Sequence, residues 1–499
     1  MRLGVTTVWG WLETHPRRAL VGCLVFAAAL RLPFVNNPLQ ADEGGFLMVA
    51  GQWQGRGTAL YTDQWVDRPP LLLLVFKLAS VLGAEPVILR MLSLLFGFVI
   101  IGASWWAGRT INGNRGAVVA AIVAASITAC YTLDGFALTG ESVAGAFVMT
   151  SCALVLEAKY GERSPQTGIL LALLAGIAAS LAFLSKQNFV DGGVFAATLL
   201  CLKLRTTWRL ILSGLVGIAA PLFATAVWAS SQEGPGLSRL WVALFTFRQR
   251  SLSVILGGSM TAPIERLKWM IFLLVASGLI LLIWQLLVGV RRAEQRHSLR
   301  IALVVMLGYV VVSILAGASW WSHYLLQLAP VLSMGSALAS RRTRVWLGAH
   351  AAATYTAIAS IVVAVSGITS VASGHVDGTS DRITAAYLRD ASVPGDSIIL
   401  AYGAPNVIQM SGLTTPYRYS WSLPIRTRDP HLDELVGVLD GSSAPTWLVE
   451  IGDFDWWGLD TPGFQQARAD HYRLVATVCD HDIYLHDGLT RTLAPTPTC

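Results

Sequence analysis

Residues 19–45 have the sequence ALVGCLVFAAALRLPFVNNPLQADEGG, an apolar run that ends in a polar turn and an acidic pair. The run over 19–35 is long enough to cross a bilayer, since a spanning helix takes about 20 apolar residues, with a range of roughly 17 to 25. A cleaved leader would be followed by a small-residue cleavage site, and none follows Arg31. The stretch therefore predicts a retained membrane span with Asp42 and Glu43 just beyond it.

The composition of the whole chain agrees with that first span. Of 499 residues, 54% are hydrophobic and 13% are charged, whereas a soluble domain carries about 25% charged residues. The mean hydropathy is +0.57. A wholly soluble protein, a disordered chain and a disulfide scaffold are therefore excluded. The net charge of +6 is better explained by the charge of membrane loops than by binding to nucleic acid.

Eleven apolar runs of about spanning length predict a mainly α, polytopic transmembrane helical bundle over residues 1–372. The predicted spans are 19–35, 87–108, 116–133, 138–156, 168–184, 189–204, 209–230, 269–290, 300–319, 323–340 and 345–371. One further run, Pro69–Gly83, has only 15 residues and opens with two prolines. We expect it to form an in-plane helix that lies along, or dips into, the outer membrane surface.

The distribution of positive charge predicts the orientation. With eleven spans, Arg and Lys residues concentrate in alternate loops such as 291–300 and 341–344, and the opposite short loops hold only Lys186. Because basic loops stay in the cytoplasm, the N-terminus is predicted to be cytoplasmic. The long loops Asn36–Arg90 and Ser231–Lys268 then lie outside. The sequence thus predicts a multi-pass protein of the cytoplasmic membrane.

Residues 373–499 are polar and predict a small extracytoplasmic α/β domain. The predicted helices are Arg382–Asp390 and His431–Leu439, and the predicted strands are Ser397–Tyr402, Trp447–Ile451, Tyr472–Val478 and Asp482–Leu485. The last two strands flank a Cys-Asp-His turn and suggest a hairpin. Cys479 and Cys499 could pair if this domain lies in an oxidising compartment.

The acidic pair Asp42-Glu43 is the first candidate site. An ionised carboxylate at the opening of a membrane cavity could act as a general base or bind a metal. The alternative is a solvated pair that caps a helix. The sequence indicates no required cofactor, and it leaves open whether the acidic pair binds a divalent metal.

Three basic residues could hold a phosphate group. Arg68 precedes Pro69-Pro70, and its planar guanidinium matches phosphate oxygens, as does that of Arg90; the alternative for both is snorkelling to the headgroups. Lys186 is the single basic residue of an otherwise uncharged outer turn. A phosphate partner would explain it, and an interfacial anchor is the alternative.

Three further residues could contact a substrate. Glu141 begins a span from the outside, where a carboxylate also suits the helix dipole. His323 and Tyr324 follow a Trp pair typical of a membrane interface, and His323 could bond a sugar or phosphate or be structural. In the C-terminal domain, Trp456 and Trp457 could stack on a sugar, although such aromatics are more often core residues.

These candidates fall on one predicted face, and the segments that carry them resemble a known family. The sequence resembles the GT-C superfamily of polyprenyl-phosphate-sugar-dependent glycosyltransferases, of the protein O-mannosyltransferase and lipid A aminoarabinose transferase type. The resemblance spans roughly residues 19–340, and the carrying segments are Ala41–Gly44, Asp67–Leu71, Leu89–Ser93, Leu184–Gln187 and His323–Pro330.

The resemblance implies a function and assigns roles. It implies a catalytic carboxylate at Asp42 with Glu43 beside it, and a basic residue near the donor phosphate at Lys186. Arg68 stands where relatives often have a Lys or Arg before Pro-Pro. Glu141 stands near a position often occupied by Asp, so its role stays open. We therefore predict an inverting mannosyl- or arabinosyl-type transferase that moves a sugar from a polyprenyl-phosphate donor to a protein, lipid or polysaccharide hydroxyl.

A different class of function also fits the outer charges. A transporter or flippase of a lipid-linked saccharide would use them for binding without chemistry. Many such proteins show inverted repeats or helices broken at matching positions, and no such pairing stands out in the sequence.

Overall fold

The computed structural model describes residues 2–53, 59–231, 234–292, 296–340, 343–401, 403–451, 459 and 461–499. The helices of the membrane part are α1 (Arg2–Thr14), α2 (Pro16–Arg31), α3 (Ala41–Gln52), α4 (Pro70–Val81), α5 (Pro86–Thr128), α6 (Gly140–Tyr160), α7 (Pro165–Ser185), α8 (Asp191–Cys201), α9 (Leu204–Ser230), α10 (Leu237–Trp241), α11 (Phe247–Gly257), α12 (Thr261–Ala276), α13 (Leu279–Arg292), α14 (His297–Ala316), α15 (Ala329–Ala339) and α16 (Thr343–Ala372). The C-terminal part contains α17 (Thr379–Ala391), β1 (Ile398–Ala401), α18 (Pro405–Ser411), α19 (Ser422–Arg428), α20 (Asp433–Leu439), β2 (Trp447–Ile451), α21 (Pro462–His471), β3 (Tyr472–Val478) and β4 (His481–His486).

The predicted class, a polytopic helical bundle with a small C-terminal α/β domain, is confirmed. Among the described residues, six helices are long and apolar enough to cross a membrane, and seven if the bent pair α12–α13 counts as one span. Every predicted span overlaps a helix, but α2, α8 and α15 are shorter than a full span. The total of eleven spans therefore stays a prediction.

Two breaks show how apolar runs become separate helices. Inside α5, Asn112 and Gly113 leave helical geometry, and Gly113 has a φ of +61°. A Cβ on Gly108 would lie 2.3 Å from the carbonyl oxygen of Gly116, so the two halves meet at a backbone contact that only glycine allows. The halves correspond to the two spans predicted there.

The run 269–290, predicted as one span, is divided into two helices in the structure. Its helices α12 and α13 are bent by 64°. The bend is at Gly278, whose φ is +81° and where a Cβ would lie 2.5 Å from the ring of Tyr355. A left-handed residue ends a right-handed helix, so the run turns there.

Burial separates the centre of the bundle from its lipid-facing surface. In the spanning window of α6, 83% of the residues are buried, against 6% in α9. Helix α9 exposes Leu212, Phe223 and Val227 along its length. An apolar helix that is exposed in this way faces hydrocarbon in a membrane protein.

The segment between the first two long helices folds as predicted into short helices. Helix α4 has 12 residues, begins at the second of the two prolines and is too short to span. It packs on α3 and exposes Leu74, Leu78 and Val81. This apolar face suits an in-plane position at the membrane surface.

The C-terminal residues form a four-stranded sheet in the order β1-β2-β4-β3. Strand β1 is parallel to β2, with Ile399 opposite Leu448, and the other pairs are antiparallel. The predicted strands and hairpin are confirmed, and Cys479 and Cys499 form a disulfide. The predicted aromatic segment with Trp456 and Trp457 lies outside the described residues.

Candidate functional site

Helix α3 presents Asp42 at its first turn. Gln40 caps the helix, because its side chain accepts from the backbone of Glu43 while Oε2 of Glu43 accepts from the Gln40 backbone nitrogen at 3.2 Å. The positive end of the helix dipole favours a carboxylate at Asp42. The Asp42 side chain is 49% exposed. The acidic pair thus begins a helix, and one member of it stays open.

Glu43 points the opposite way, into the protein. It is buried in an ion pair with Nη1 of Arg90, and its Oε1 also accepts from the backbone nitrogen of Leu138 at 2.8 Å. Nη2 of Arg90 donates to the carbonyl oxygen of Pro38 at 3.1 Å. The structure therefore places Glu43 and Arg90 behind α3, where they tie it to α5 and to the start of α6.

Arg68 lies on the open side of α3. Its Nη2 is 3.7 Å from Oδ2 of Asp42, and its Nη1 is 2.7 Å from Oδ1 of Asp67. The guanidinium carbon also sits 5.3 Å from the ring centre of Phe46. Burial alone would lower the pKa of Arg68, but the Asp67 and Asp42 carboxylates raise that pKa above its ordinary value. Arg68 stays a cation here.

A second arginine joins this group, and sequence reasoning gave it no role. Nη2 of Arg248, on α11, lies 2.5 Å from Oδ2 of Asp67. Burial would raise the pKa of Asp67, but Arg248 and Arg68 outweigh it and hold that pKa below its usual value. The sequence contains one indication of this role: Arg248 lies in the second long outer loop, on the same predicted side of the membrane as Arg68.

Three predicted residues, Lys186, Glu141 and His323, form a continuous chain of polar contacts that ends at Asp134. Lys186 pairs with Glu141, whose Oε1 is 3.7 Å from Nε2 of His323. Nδ1 of His323 is 3.2 Å from Oδ2 of Asp134. Nζ of Lys186 also lies 4.9 Å from the ring centre of Tyr324. Sequence-distant residues that were predicted to converge are thus in contact.

The two groups are joined through Gln187. Its Nε2 donates to the carbonyl oxygen of Asp67 at 3.1 Å, and so ties the residue after Lys186 to the residue before Arg68. We refer to the combined set as the polar cluster. Its members are Asp42, Asp67, Arg68, Glu141, Lys186, Arg248 and His323.

A groove of about 260 Å³ opens beside the cluster. It is lined by Arg248, Gln249, Ser251, Leu252 and Ile255 from α11, together with Ala316 at the end of α14 and Gly317 after it. A groove that combines a cation with several apolar residues suits an amphiphile with an anionic head.

No metal site is defined by the described part of the chain. No group of three or more His, Cys, Asp or Glu side chains gathers there. The metal requirement therefore stays open.

The fold of the chain is that of GT-C glycosyltransferases. It resembles ArnT, an aminoarabinose transferase from Cupriavidus metallidurans, in a structure bound to undecaprenyl phosphate: TM-score 0.64, 13% identity, 95% of this chain and 98% of that one covered. It also resembles an oligosaccharyltransferase from Archaeoglobus fulgidus in a complex with zinc and sulfate, with TM-score 0.57, 11% identity and coverage of 87% and 67%. A third structure, AglB from the same archaeon with an inhibitory peptide and a dolichol-phosphate, gives TM-score 0.55, 12% identity and coverage of 88% and 70%.

The resemblance predicted from sequence is thereby confirmed at the level of the fold. No protein-family model matches the sequence, and no curated protein matches it. At such low identities the likeness carries the architecture alone, and residue roles must come from this chain's own geometry.

Proposed function

We propose that this protein is a membrane glycosyltransferase that moves a sugar from a polyprenyl-phosphate donor to an acceptor hydroxyl. One observation carries the proposal: the half-exposed carboxylate of Asp42 lies 3.7 Å from Arg68, the first of three clustered cations beside an amphiphilic groove. A base next to a phosphate-type cation is what sugar transfer from a phosphate leaving group needs.

The donor phosphate would bind to Arg68, Arg248 and Lys186. In the structure Arg68 and Arg248 pair with Asp67, and Lys186 pairs with Glu141. An incoming phosphate would bind these cations alongside the two carboxylates. The polyprenyl chain would follow the groove between α11 and the end of α14. The lipid phosphates held by ArnT and AglB support this kind of ligand.

Asp42 would act as the general base. Its carboxylate takes the proton of the acceptor hydroxyl as the oxygen attacks the anomeric carbon. The bond from that carbon to the phosphate oxygen breaks, and its electron pair leaves with the polyprenyl phosphate. Arg68 stabilises the charge that develops there. A single displacement of this kind inverts the anomeric configuration.

The remaining predicted residues take supporting positions in this proposal. Glu43 and Arg90 form a buried ion pair inside the protein, so we assign them to holding α3 rather than to contact with substrate. Glu141 and His323 orient Lys186 through the chain of contacts described above. Tyr324, whose ring lies beside Lys186, would form part of the wall of the sugar site.

We further infer that the reaction takes place on the outer face of the cytoplasmic membrane, with the N-terminus in the cytoplasm. The concentration of basic residues in alternate loops supports this orientation. Mannose and arabinose are the candidate sugars, and the acceptor is a hydroxyl of a protein, lipid or polysaccharide. A divalent metal could assist Asp42, and none is required by the proposed step.

The test compares wild type with Asp42→Asn in membranes that contain the protein. Polyprenyl-phosphate mannose and polyprenyl-phosphate arabinose, each radiolabelled in the sugar, are the donors. We expect transfer by wild type and by the control Asp390→Asn, whose carboxylate is exposed and contacts only its neighbour Arg389 among the described residues. Asp42→Asn should still bind donor but turn it over about 10²- to 10⁴-fold more slowly. Movement of intact donor across proteoliposomes, equal in all three proteins, would instead establish the flippase.

A further inference from the structure

The C-terminal domain touches α3 at the turn that carries Asp42. A Cβ on Gly44 would lie 2.3 Å from Cα of Asn406, and one on Gly45 would lie 2.2 Å from the ring of Trp421. Real side chains cannot approach that closely, so two consecutive glycines are what allow this contact. The interface is closely packed at the candidate catalytic helix.

Trp421 reaches the carboxylate itself. Its indole Nε1 donates to Oδ1 of Asp42 at 3.0 Å, and its ring centre lies 5.5 Å from that of Phe46 on the same helix. Arg68 stands 3.7 Å from the other oxygen, Oδ2. The carboxylate is therefore held on one oxygen by the C-terminal domain and faced on the other by the membrane part.

Trp421 is itself fixed in place. It precedes α19, whose Ile425 nitrogen donates to its carbonyl oxygen at 3.2 Å. A second attachment lies just before α3, where Nδ2 of Asn406 donates to the carbonyl oxygen of Leu39 at 3.1 Å and to Oδ2 of Asp381 at 2.7 Å. The C-terminal domain thus contacts the chain both before Asp42, at Leu39, and after it, at Gly44 and Gly45.

We propose that Trp421 is a positioning residue for Asp42, so that the C-terminal domain completes the active site. A half-exposed aspartate samples several rotamers, and only some of them aim a free lone pair at an acceptor hydroxyl. The indole N–H selects one rotamer and occupies Oδ1, which leaves Oδ2 to take the proton next to Arg68. The inference rests on the proposed function, because it assigns the geometry of the same base.

The test replaces Trp421 by Phe, which removes the N–H and keeps an aromatic ring against Phe46. Trp447 offers a matched control in the same domain. It is fully buried in β2, and its indole nitrogen has no hydrogen-bond acceptor among the described residues. Trp447→Phe therefore makes the same chemical change, and disturbs the core of the domain, without touching the carboxylate.

Sugar transfer is measured in membranes with both radiolabelled polyprenyl-phosphate donors, together with the thermal unfolding midpoint of each purified variant. We expect Trp421→Phe to lower kcat about tenfold or more, as for a lost hydrogen bond to a charged group. The apparent KM for donor should stay within about twofold, because ground-state binding is unchanged. Adding Trp421→Phe to Asp42→Asn should cause no further loss.

Each other result overturns the inference. If Trp421→Phe keeps the wild-type kcat while Asp42→Asn loses turnover, Trp421 has no part in the mechanism. The proposed function would then still hold. An equal loss of kcat in Trp447→Phe would show a general effect of the domain's stability. Absence of transfer by the wild-type protein with either donor would reject the proposed function, and this inference with it.

Discussion

Asp42 and Arg68 form an ion pair across the start of α3, with Oδ2 of the carboxylate 3.7 Å from Nη2 of the guanidinium. That separation is longer than a direct charge-assisted hydrogen bond. The aspartate is half exposed and the arginine is largely buried. A carboxylate that only caps a helix needs no such cation beside it. The pairing brings a base and a phosphate-type cation to one point, and it motivates the following predictions.

Asp42→Asn should lower turnover by about 10²- to 10⁴-fold, the usual contribution of a general base. Asparagine keeps the size of the side chain, and Gln40 still caps the helix, so folding and donor binding should be retained. Transfer of radiolabelled sugar and binding of polyprenyl phosphate are measured on the same preparations, with Asp390→Asn as the control. Undiminished turnover would remove Asp42 from the mechanism.

Arg248→Gln should weaken donor binding, because Arg248 is one of the three cations that we propose hold the donor phosphate. We expect the apparent KM to rise about tenfold, the value of one charge-assisted hydrogen bond. Inhibition by free undecaprenyl phosphate should weaken in parallel. Arg250→Gln is the matched control, since Arg250 is an exposed residue of the same helix, α11. Similar KM values for the two variants would exclude Arg248 from the phosphate site.

Glu43→Gln should destabilise the protein by about 3–5 kcal/mol, because it leaves Arg90 as an unpaired buried charge. Glu43→Gln combined with Arg90→Gln should recover part of that loss, since neither charge then remains. Unfolding midpoints in detergent measure both effects. If Glu43→Gln instead abolishes turnover with a wild-type midpoint, Glu43 acts directly in catalysis, as the sequence first suggested.

The attachment of the C-terminal domain should depend on pH through Asp381 and His481. Nε2 of His481 is 3.4 Å from Oδ1 of Asp381, and its Nδ1 is 2.7 Å from the carbonyl oxygen of Cys479, so both ring nitrogens face acceptors. Burial would lower the pKa of His481, but Asp381 raises it above 6.5. Burial would raise the pKa of Asp381, but His481 and Asn406 lower it below 3.8.

The directions of these two pKa shifts define a pH range in which both residues contribute fully to stability. The His481 contribution to stability is complete below pH 6.5 and is lost as pH rises through its raised folded-state pKa. The Asp381 contribution is complete above pH 3.8 and is lost as pH falls through its lowered pKa. Resistance of the C-terminal domain to proteolysis should therefore be greatest between these limits. His481→Gln should flatten the alkaline side, and an unchanged profile would refute the assignment.

The disulfide Cys479–Cys499 closes a loop with a sequence separation of 20. Its loss in Cys499→Ser should cost about 3 kcal/mol in the chain-entropy account. The bond also tests the orientation, because disulfides persist in oxidising compartments. In native membranes, a maleimide reagent should modify these cysteines only after reduction. Modification without reductant would argue that the domain lies in the cytoplasm.

Much of the fold follows from local sequence. The apolar runs, the in-plane helix after Pro69-Pro70 and the hairpin over Tyr472–Leu485 were all predicted, because hydropathy, proline and turn residues act over a few neighbours. The bend within the span predicted over 269–290 was not foreseen, since it occurs at Gly278 and depends on the tertiary contact with Tyr355. Neighbouring residues alone could not reveal that contact.

The sequence by itself determined that this chain is a multi-pass membrane protein with an acidic pair and several cations near its helix ends. Only the tertiary structure decided which carboxylate is open and which is buried, brought Arg248 to Asp67, and placed Trp421 on Asp42. The physical reason is separation along the chain: Trp421 and Asp42 are 379 residues apart, and Arg90 and Glu43 are 47 apart. Such pairs exist only once the helices and the C-terminal domain have packed together.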